Sequence, residues 1–294
     1  MPKNDVSSSS HLAADLVLIG VSVLWGTSFA IVKEALVETS PANFLFIRFF
    51  LACLLLLPAV IARRRTWSGE FLKPGAVIGS FLFSAFLTQA WGLVFTSASR
   101  SGFITGLSVI LVPLLSILVL RMVPGRLTLA GAGLAFLGLY LLTSADPVQG
   151  LPFNRGDFLT LICAVLWAAH ILALGRYSPS RDTFWLTFLQ LAVSCLGSFV
   201  WVIFSGELNL SLPAGVYWAA LYLAVACTIL AYLGQTWAQA RTTPTRTAII
   251  LSLEPVFAAL FAWLWLDERL GLWGAIGAGM ILGGILLAEL KPRS

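Results

Sequence analysis

Ten apolar stretches, joined by short polar connections, leave this chain few ways to fold. They run Leu12–Val32, Asn43–Ala62, Gly75–Phe95, Ser101–Leu120, Leu127–Ser144, Asp157–Gly175, Thr183–Phe204, Ala214–Thr236, Arg246–Leu266 and Gly271–Ala288. About 20 helical residues, at a rise of about 1.5 Å each, cross a hydrocarbon core of about 30 Å. The runs are uniformly apolar rather than alternating with period two, which predicts helices and not barrel strands. Of the 294 residues 11% are charged and 59% hydrophobic, too few polar groups to build the water-facing shell of a soluble protein. The expected fold is an all-α integral membrane protein of ten transmembrane helices. Residues 1–11, MPKNDVSSSSH, are polar and read as a disordered cytoplasmic tail. Leu12–Val32 is long for a cleaved leader, and part of it recurs later in the chain, so it reads as a retained helix.

Lys and Arg set the orientation. With the N-terminus inside, the cytoplasmic segments carry Lys3, Arg63, Arg64, Arg65, Lys73, Arg121, Arg126, Arg176, Arg181, Arg241, Arg246, Lys291 and Arg293. The outer segments carry Lys33, Arg100, Arg155 and Arg269. This asymmetry is the positive-inside pattern and predicts that both termini are cytoplasmic. The net charge of +5 therefore reports topology and gives no reason to expect nucleic-acid binding. Cys53, Cys163, Cys195 and Cys227 all fall within spans without CxxC spacing, and read as small buried residues. No HExxH, P-loop or GxSxG pattern is present, so no metal, cofactor or catalytic residue is assigned.

The second constraint is internal repetition. Val23-Leu24-Trp25 returns 142 positions later as Val165-Leu166-Trp167. The same offset relates Phe46 to Phe188, Cys53-Leu54 to Cys195-Leu196, Gly92 to Gly234, Thr105 to Thr247, Leu111 to Leu253 and Pro113 to Pro255. One inserted residue later, Arg126-Leu127 matches Arg269-Leu270 and Gly131 matches Gly274. A constant register through Trp, Cys, Gly and Pro positions divides the chain into two repeats, residues 12–146 and 154–291. Each holds five helices, an odd number, so the second copy enters the membrane from the opposite side. Such inverted repeats let a carrier open alternately to either face around a central site.

LWGTSFAIVK in the first span, QAWGLVFTSASRSGFITGLSVILVPL over the third and fourth, and SLEPVFAAL followed by LDERL in the ninth resemble the EamA branch of the drug/metabolite transporter superfamily. The resemblance covers almost the whole chain. It implies a bacterial inner-membrane exporter, most similar to the YddG-type exporters of aromatic and other neutral amino acids. Its implied partners are a small-molecule substrate, membrane lipid and, in one reading, protons; the chain is expected to act as a monomer. Other carriers of the same superfamily move other metabolites or drugs, and that alternative stays open. A channel would not need two inverted copies with matched prolines, and one intramembrane His with one Glu is thin for an enzyme. The sixth span departs from the family pattern, with Ala168-Ala169-His170 where the first has Gly26-Thr27-Ser28.

Ionisable groups within spans are costly, about 2.5–3.5 kcal/mol at least for Arg or Asp at a helix centre, and so mark candidate sites. Arg48, His170 and Glu254 stand out. Helical spacing gathers their neighbours into polar stripes. Thr243, Thr247 and Glu254 share a face of span nine, and Ser101, Thr105 and Ser108 one of span four. Thr160, Cys163, Trp167 and His170 share a face of span six; Thr228, Tyr232, Gln235 and Gln239 one of span eight. Together with Trp25, Ser28 and Gln89 these predict a cavity lined by Trp25, Ser28, Gln89, Thr105, Ser108, Trp167, His170, Thr228, Tyr232, Gln235, Thr247 and Glu254. Any one Ser or Thr can instead bond its own backbone. By helical rise, Arg48 lies about 8 Å below the outer edge, Glu254 about 12 Å and His170 about 10 Å above the inner one. This predicts an inner Glu254–His170–Gln190 layer and an outer Arg48–Ser108–Gln89 layer, with Arg48 and Gln190 supporting the cavity from matching repeat positions. Glu254 either engages a substrate amino group or a coupling proton, or satisfies neighbours where Pro255 disturbs packing. Pro113 and Pro255 lack backbone donors in mid-helix and should bend spans four and nine as hinges or gates.

Overall fold

The computed structural model describes residues 8–121, 123–144, 153–266 and 271–289. Lys3, Arg269, Lys291 and Arg293 of the charge pattern, and the tail up to residue 7, lie outside these. The described residues are helical with no strands. The helices are α1 (Ser8–Gly26), α2 (Ser28–Ala35), α3 (Pro41–Ala62), α4 (Leu72–Phe95), α5 (Ala98–Gly106), α6 (Ser108–Leu120) and α7 (Arg126–Ser144), followed by α8 (Arg155–Tyr177), α9 (Thr183–Phe204), α10 (Ala214–Tyr222), α11 (Ala231–Gln239), α12 (Pro244–Leu251), α13 (Glu254–Leu266) and α14 (Leu272–Glu289). α1 starts at Ser8, so residues 8–11, expected in the tail, are helical. Among the described residues eight helical stretches are long and apolar enough to cross a membrane, and Arg126–Leu142 and Leu272–Ala288 are shorter apolar helices.

Local chemistry explains many of the boundaries. Ser40 caps α3 by accepting from the Asn43 amide, with Pro41 at the first helical position. Asp182, 142 positions on, caps α9 by accepting from the Phe184 and Trp185 amides. Asn154 and Asp157 form a reciprocal capping box on α8. Each cap satisfies donors that have no intrahelical partner.

Interruptions fall where the helices approach the molecular centre. Between α1 and α2 the Thr27 amide bonds three residues back to the Leu24 carbonyl at 3.3 Å. That carbonyl also accepts from Thr27 Oγ1 at 2.7 Å and Cys227 Sγ at 3.1 Å. Ahead of Pro113 the Leu107 amide bonds the Ile104 carbonyl, and ahead of Pro255 the Leu253 amide bonds the Ile250 carbonyl. Both are tightened three-residue turns; the one at Leu253 directly precedes the next helix, whose first turn holds Pro255 where a missing donor is tolerated. The interruption at Leu107 lies well upstream of Pro113, which itself sits inside α6. A π-helical segment, Leu223–Leu230, joins α10 to α11.

Packing is antiparallel between α3 and α9, where Phe46 meets Phe199 and Arg63 pairs with Asp182. It is antiparallel again between α7 and α14, the most extensive helix contact. There Gly131 lies against Gly284 and Gly138 against Gly277, so close that a Cβ at Gly138 would come 2.6 Å from the Gly277 carbonyl oxygen. Only glycine permits such an approach, which membrane helices use to gain backbone contact. α4 packs on α8 and α9, and α1 on α11, α12 and α13. The outer surface is apolar: Leu118 is 75% and Trp218 70% exposed. In water each such side chain would forgo about 1.5–3 kcal/mol of burial, a loss that lipid removes.

Candidate functional site

The interrupted α1–α2 joint, α4, α8 and the π segment converge on a cluster of rings. Trp25 meets Trp167 edge-on with centroids 5.3 Å apart and Tyr232 at 5.6 Å. Phe86 closes a further side, 5.8 Å from Trp167 and 6.3 Å from Tyr232. His170 stacks on Trp167 at 5.4 Å and meets Tyr232 edge-on at 5.9 Å. Such edge and offset geometries contribute about 0.5–1.5 kcal/mol per pair beyond area. Trp25 reaches the centre because Gly26 lets α1 sit on α13: a Cβ at Gly26 would come 2.9 Å from that of Phe257. Trp25 Nε1 donates to the Cys227 carbonyl at 2.9 Å. That carbonyl lies in the π segment, whose widened turn alters the normal helical pairing, a distortion frequent at functional sites.

Below the rings lies a fully buried polar network. Gln190 Nε2 donates to Thr236 Oγ1 at 3.2 Å, as does Thr187 Oγ1 at the same distance. The Gln190 amide oxygen therefore faces His170, accepting from Nε2–H at 2.9 Å. This leaves His170 Nδ1 as an acceptor. It is buried without a partner among the described residues, as are the Tyr232 hydroxyl, both amide atoms of Gln235 and Oε1 of Gln239. Buried polar groups almost always find partners, so this concentration on α8 and α11 marks a region suited to polar contact with something other than the protein.

Above the rings, Arg48 is buried at 2% exposure. Its Nε donates to Thr228 Oγ1 at 2.8 Å and its Nη2 to the Cys227 carbonyl at 3.4 Å, and the guanidinium lies 4.7 Å from the Phe86 centroid. Arg48 lines a crevice of about 20 Å³ with Ser28, Phe29, Phe86 and Gln89. Gln89 Nε2 donates to Thr105 Oγ1 at 3.3 Å. A larger concavity of about 710 Å³ lies elsewhere, on the apolar outer surface between α4 and α9. Its lining, including Phe83, Val193, Leu196, Trp201 and Phe204, is mainly apolar and includes none of the ring residues.

Of the expected Arg48–Ser108–Gln89 layer, the structure brings Arg48 and Gln89 to one crevice, with Ser28 and without Ser108. Ser108 is buried beside the Leu107 turn, while Arg48 bonds Thr228 and the Cys227 carbonyl. The expected inner layer forms from His170 and Gln190 without Glu254. Glu254 is half-buried at the start of α13. Among the described residues no ion pair joins it to Arg48 or His170. Thr247 bonds the Thr243 carbonyl of its own helix at 3.1 Å, the backbone role open to any membrane threonine. Pro255 is the second residue of α13.

Sequence reasoning missed two buried ion pairs. Asp15 in α1 takes Arg246 of α12 through both carboxylate oxygens, with Nε at 2.9 Å from Oδ1. Asp157 in α8 pairs with Arg100 of α5 at 2.7 Å and accepts from Thr96 Oγ1 at 2.9 Å. Asp15 and Asp157 stand 142 positions apart, and that shared register was the signal available. Phe86, Thr187 and Thr236 were missed as well; Phe86 occupies the repeat position of Thr228.

The model of the EamA-like transporter family matches residues 12–144 and again 154–290. An uncharacterized transporter of Archaeoglobus fulgidus is 36% identical over 96% of this chain and 87% of its own length. The uncharacterized transporter YyaM of Bacillus subtilis is 24% identical over 95% and 94%. The chloroplastic WAT1-related protein At3g02690 of Arabidopsis thaliana is 26% identical over 93% of this chain and 68% of its own. A solved crystal structure superposes with a TM-score of 0.78 at 21% identity, over 95% of this chain and 96% of that one.

Proposed function

The chain belongs to the EamA-like transporter family, and we propose that it exports an amino acid with an aromatic or other apolar side chain across the bacterial inner membrane. It is a multi-pass membrane transporter; the solute, direction and mechanism are the proposal. The solute sits among Trp25, Phe86, Trp167 and Tyr232, between the Arg48 crevice and the His170–Gln190 network. One observation carries the reading: aromatic rings meet buried polar atoms that lack protein partners in the interior of the helical array. An apolar box with a few polar groups is how proteins bind small amphipathic ligands.

In the proposed mechanism α7 and α14 also cross the bilayer, giving ten spans as two inverted five-helix repeats. Their 19 and 18 residues lie within the usual range for a crossing. Several contacts support inversion. Repeat-related helices α3 and α9, and α7 and α14, pack antiparallel. The packing of α4 on α8 is mirrored by that of α11 on α1, as an exchange of halves requires. The Asp15–Arg246 and Asp157–Arg100 pairs then lie toward opposite faces, each joining the first helix of one half to the fourth of the other. We assign them as latches that open in alternation. Bending beside Pro113 and Pro255 moves the helices that carry Arg100 and Arg246. The positive-inside pattern supports cytoplasmic termini.

The test is counterflow into liposomes containing the purified protein, using a panel of labelled amino acids and other small metabolites. Saturable, stereoselective flux of an unmodified amino acid is expected. Saturable flux confined to a different solute class would remove the amino acid assignment, and non-saturable flux would point to a channel.

A further inference from the structure

Arg48 is a buried cation with no carboxylate partner among the described residues. Its repeat counterpart Gln190 is spent on protein contacts, with His170 and Thr236. Arg48 is only partly spent. Nε and Nη2 hold the π segment through Thr228 and the Cys227 carbonyl, while Nη1 has no acceptor among the described residues. A guanidinium offers five N–H donors and is never neutral in a protein. Held in a low-dielectric interior it needs a counter-charge or hydration, because desolvation alone costs several kcal/mol.

The surroundings narrow what that counter-charge can be. Phe86 packs against both the guanidinium, at 4.7 Å, and the indole of Trp167, centroids 5.8 Å apart. One ring thus borders both the cation and the aromatic cluster, and a solute that parts these packed rings has its end beside Arg48. The crevice adds Ser28 and Gln89, neutral side chains able to donate to an oxygen. At about 20 Å³ it has room for about one water, so a larger anionic end enters only as α2 moves away from α3 and α4, which line the crevice with it. Among the described residues no ion pair joins Glu254 to Arg48.

We infer that Arg48 is the anchor for the solute's carboxylate, so that the transported species carries a free carboxylate at the Arg48 end of the aromatic box. The inference rests on the amino acid reading above and makes it specific: amides, esters and decarboxylated amines of the same side chain are poor solutes. The planar guanidinium takes a carboxylate by two parallel N–H···O bonds, which lysine cannot reproduce.

The experiment compares counterflow half-saturation for phenylalanine, phenylalaninamide, phenethylamine and phenylpropionate, with leucine and leucinamide as a second series. In the wild-type protein the amides and phenethylamine should be weaker than the amino acids by about 10- to 100-fold, the range of one lost charge-assisted contact. Arg48→Gln should abolish that preference, and Arg48→Lys should retain part of it. The wild-type comparison needs no variant, so a misfolded Arg48→Gln protein does not shield the proposal. Saturable transport indifferent to the carboxylate would overturn the Arg48 assignment and leave the amino acid reading standing. An Arg48→Gln protein that keeps the acid-to-amide preference would overturn it too. So would a wild-type half-saturation that follows chloride and not the carboxylate, which makes Arg48 a site for an inorganic anion. No saturable flux of any member would overturn both readings.

Discussion

Replacing Asp15 by Asn should free one end of the protein while leaving the other closed. The Asp15 side chain is 4% exposed and that of Arg246 25%, so the pair is shielded without being dry. Asn keeps an oxygen for Arg246 Nε but turns its amide nitrogen toward Nη2, setting donor against donor. One charge-assisted bond of about 1.5–3 kcal/mol is lost, and the other is weakened because its acceptor is now neutral while its donor stays charged. Discounting for the exposure of the guanidinium leaves about 2 kcal/mol. That is a shift of about 30-fold between closed and open arrangements, if opening at this end separates α1 from α12. The assay is labelling by an impermeant maleimide of Thr247→Cys, a position fully buried here, with the four native cysteines replaced. Asp15→Asn should raise the labelling rate about 10- to 30-fold, and Asp157→Asn, at the other end, should not. Exchanging the charges, Asp15→Arg with Arg246→Asp, should bring the rate back toward wild type. Unchanged labelling in Asp15→Asn, or equal increases in both variants, would refute the latch and leave the pairs as structural ties.

Three further outcomes follow from the same geometry. Glu254→Gln should weaken exchange of amino acids several-fold; intact exchange with loss of pH-driven accumulation would assign Glu254 to proton coupling, and no change in either would leave it structural. Pro113→Ala and Pro255→Ala should keep expression but slow counterflow: the first restores a hydrogen bond inside α6, and the second removes the proline that keeps α13 from continuing α12; wild-type rates in both would reduce the prolines to harmless kinks. A reporter fused after Ser294 should be active only in the cytoplasm, and periplasmic activity would sink the even-numbered, N-in topology.

The sequence made the helices legible because a bilayer demands long apolar segments with internally satisfied backbones. Boundaries such as Thr183–Phe204 follow directly, since Asp182 is both the end of the polar joint and the cap. The aromatic cluster was legible in part: Trp25 and Trp167 stand out by repetition and Tyr232 by its stripe. Phe86 did not, because one phenylalanine in an apolar run carries no periodic signal. Asp15 escaped for a different reason. It lies near the end of a span, where a carboxylate costs little and excites no suspicion, and its partner Arg246 is 231 residues away. Glu254 was assigned to His170 from depth alone. Helical rise fixes height in the membrane but not the direction a side chain takes around its helix, and the interruption just before Glu254 resets that direction. The π segment was illegible, since nothing in LAVACTIL distinguishes a widened turn from an ordinary one.

Where the two halves agree and where they differ divides the protein's labour. Trp25 and Trp167, Cys53 and Cys195, Asp15 and Asp157, and Pro113 and Pro255 are shared, and they are the walls, the packing axis, the proposed latches and the proposed hinges. The polar groups around the rings are not shared. Arg48 answers to Gln190, Glu254 to Val112, Tyr232 to Ala90, Gln235 to Leu93 and His170 to Ser28. A carrier built from two identical inverted halves would offer its solute two equivalent orientations. It would place like charges about the axis, where they repel when desolvated. Substituting one partner in each pair removes both problems: a single cation and a single carboxylate give a dipolar solute one way to lie. On the proposed mechanism, repetition would let the site be reached from both faces, and the loss of repetition at Arg48 and Glu254 would let a symmetric frame hold an asymmetric solute.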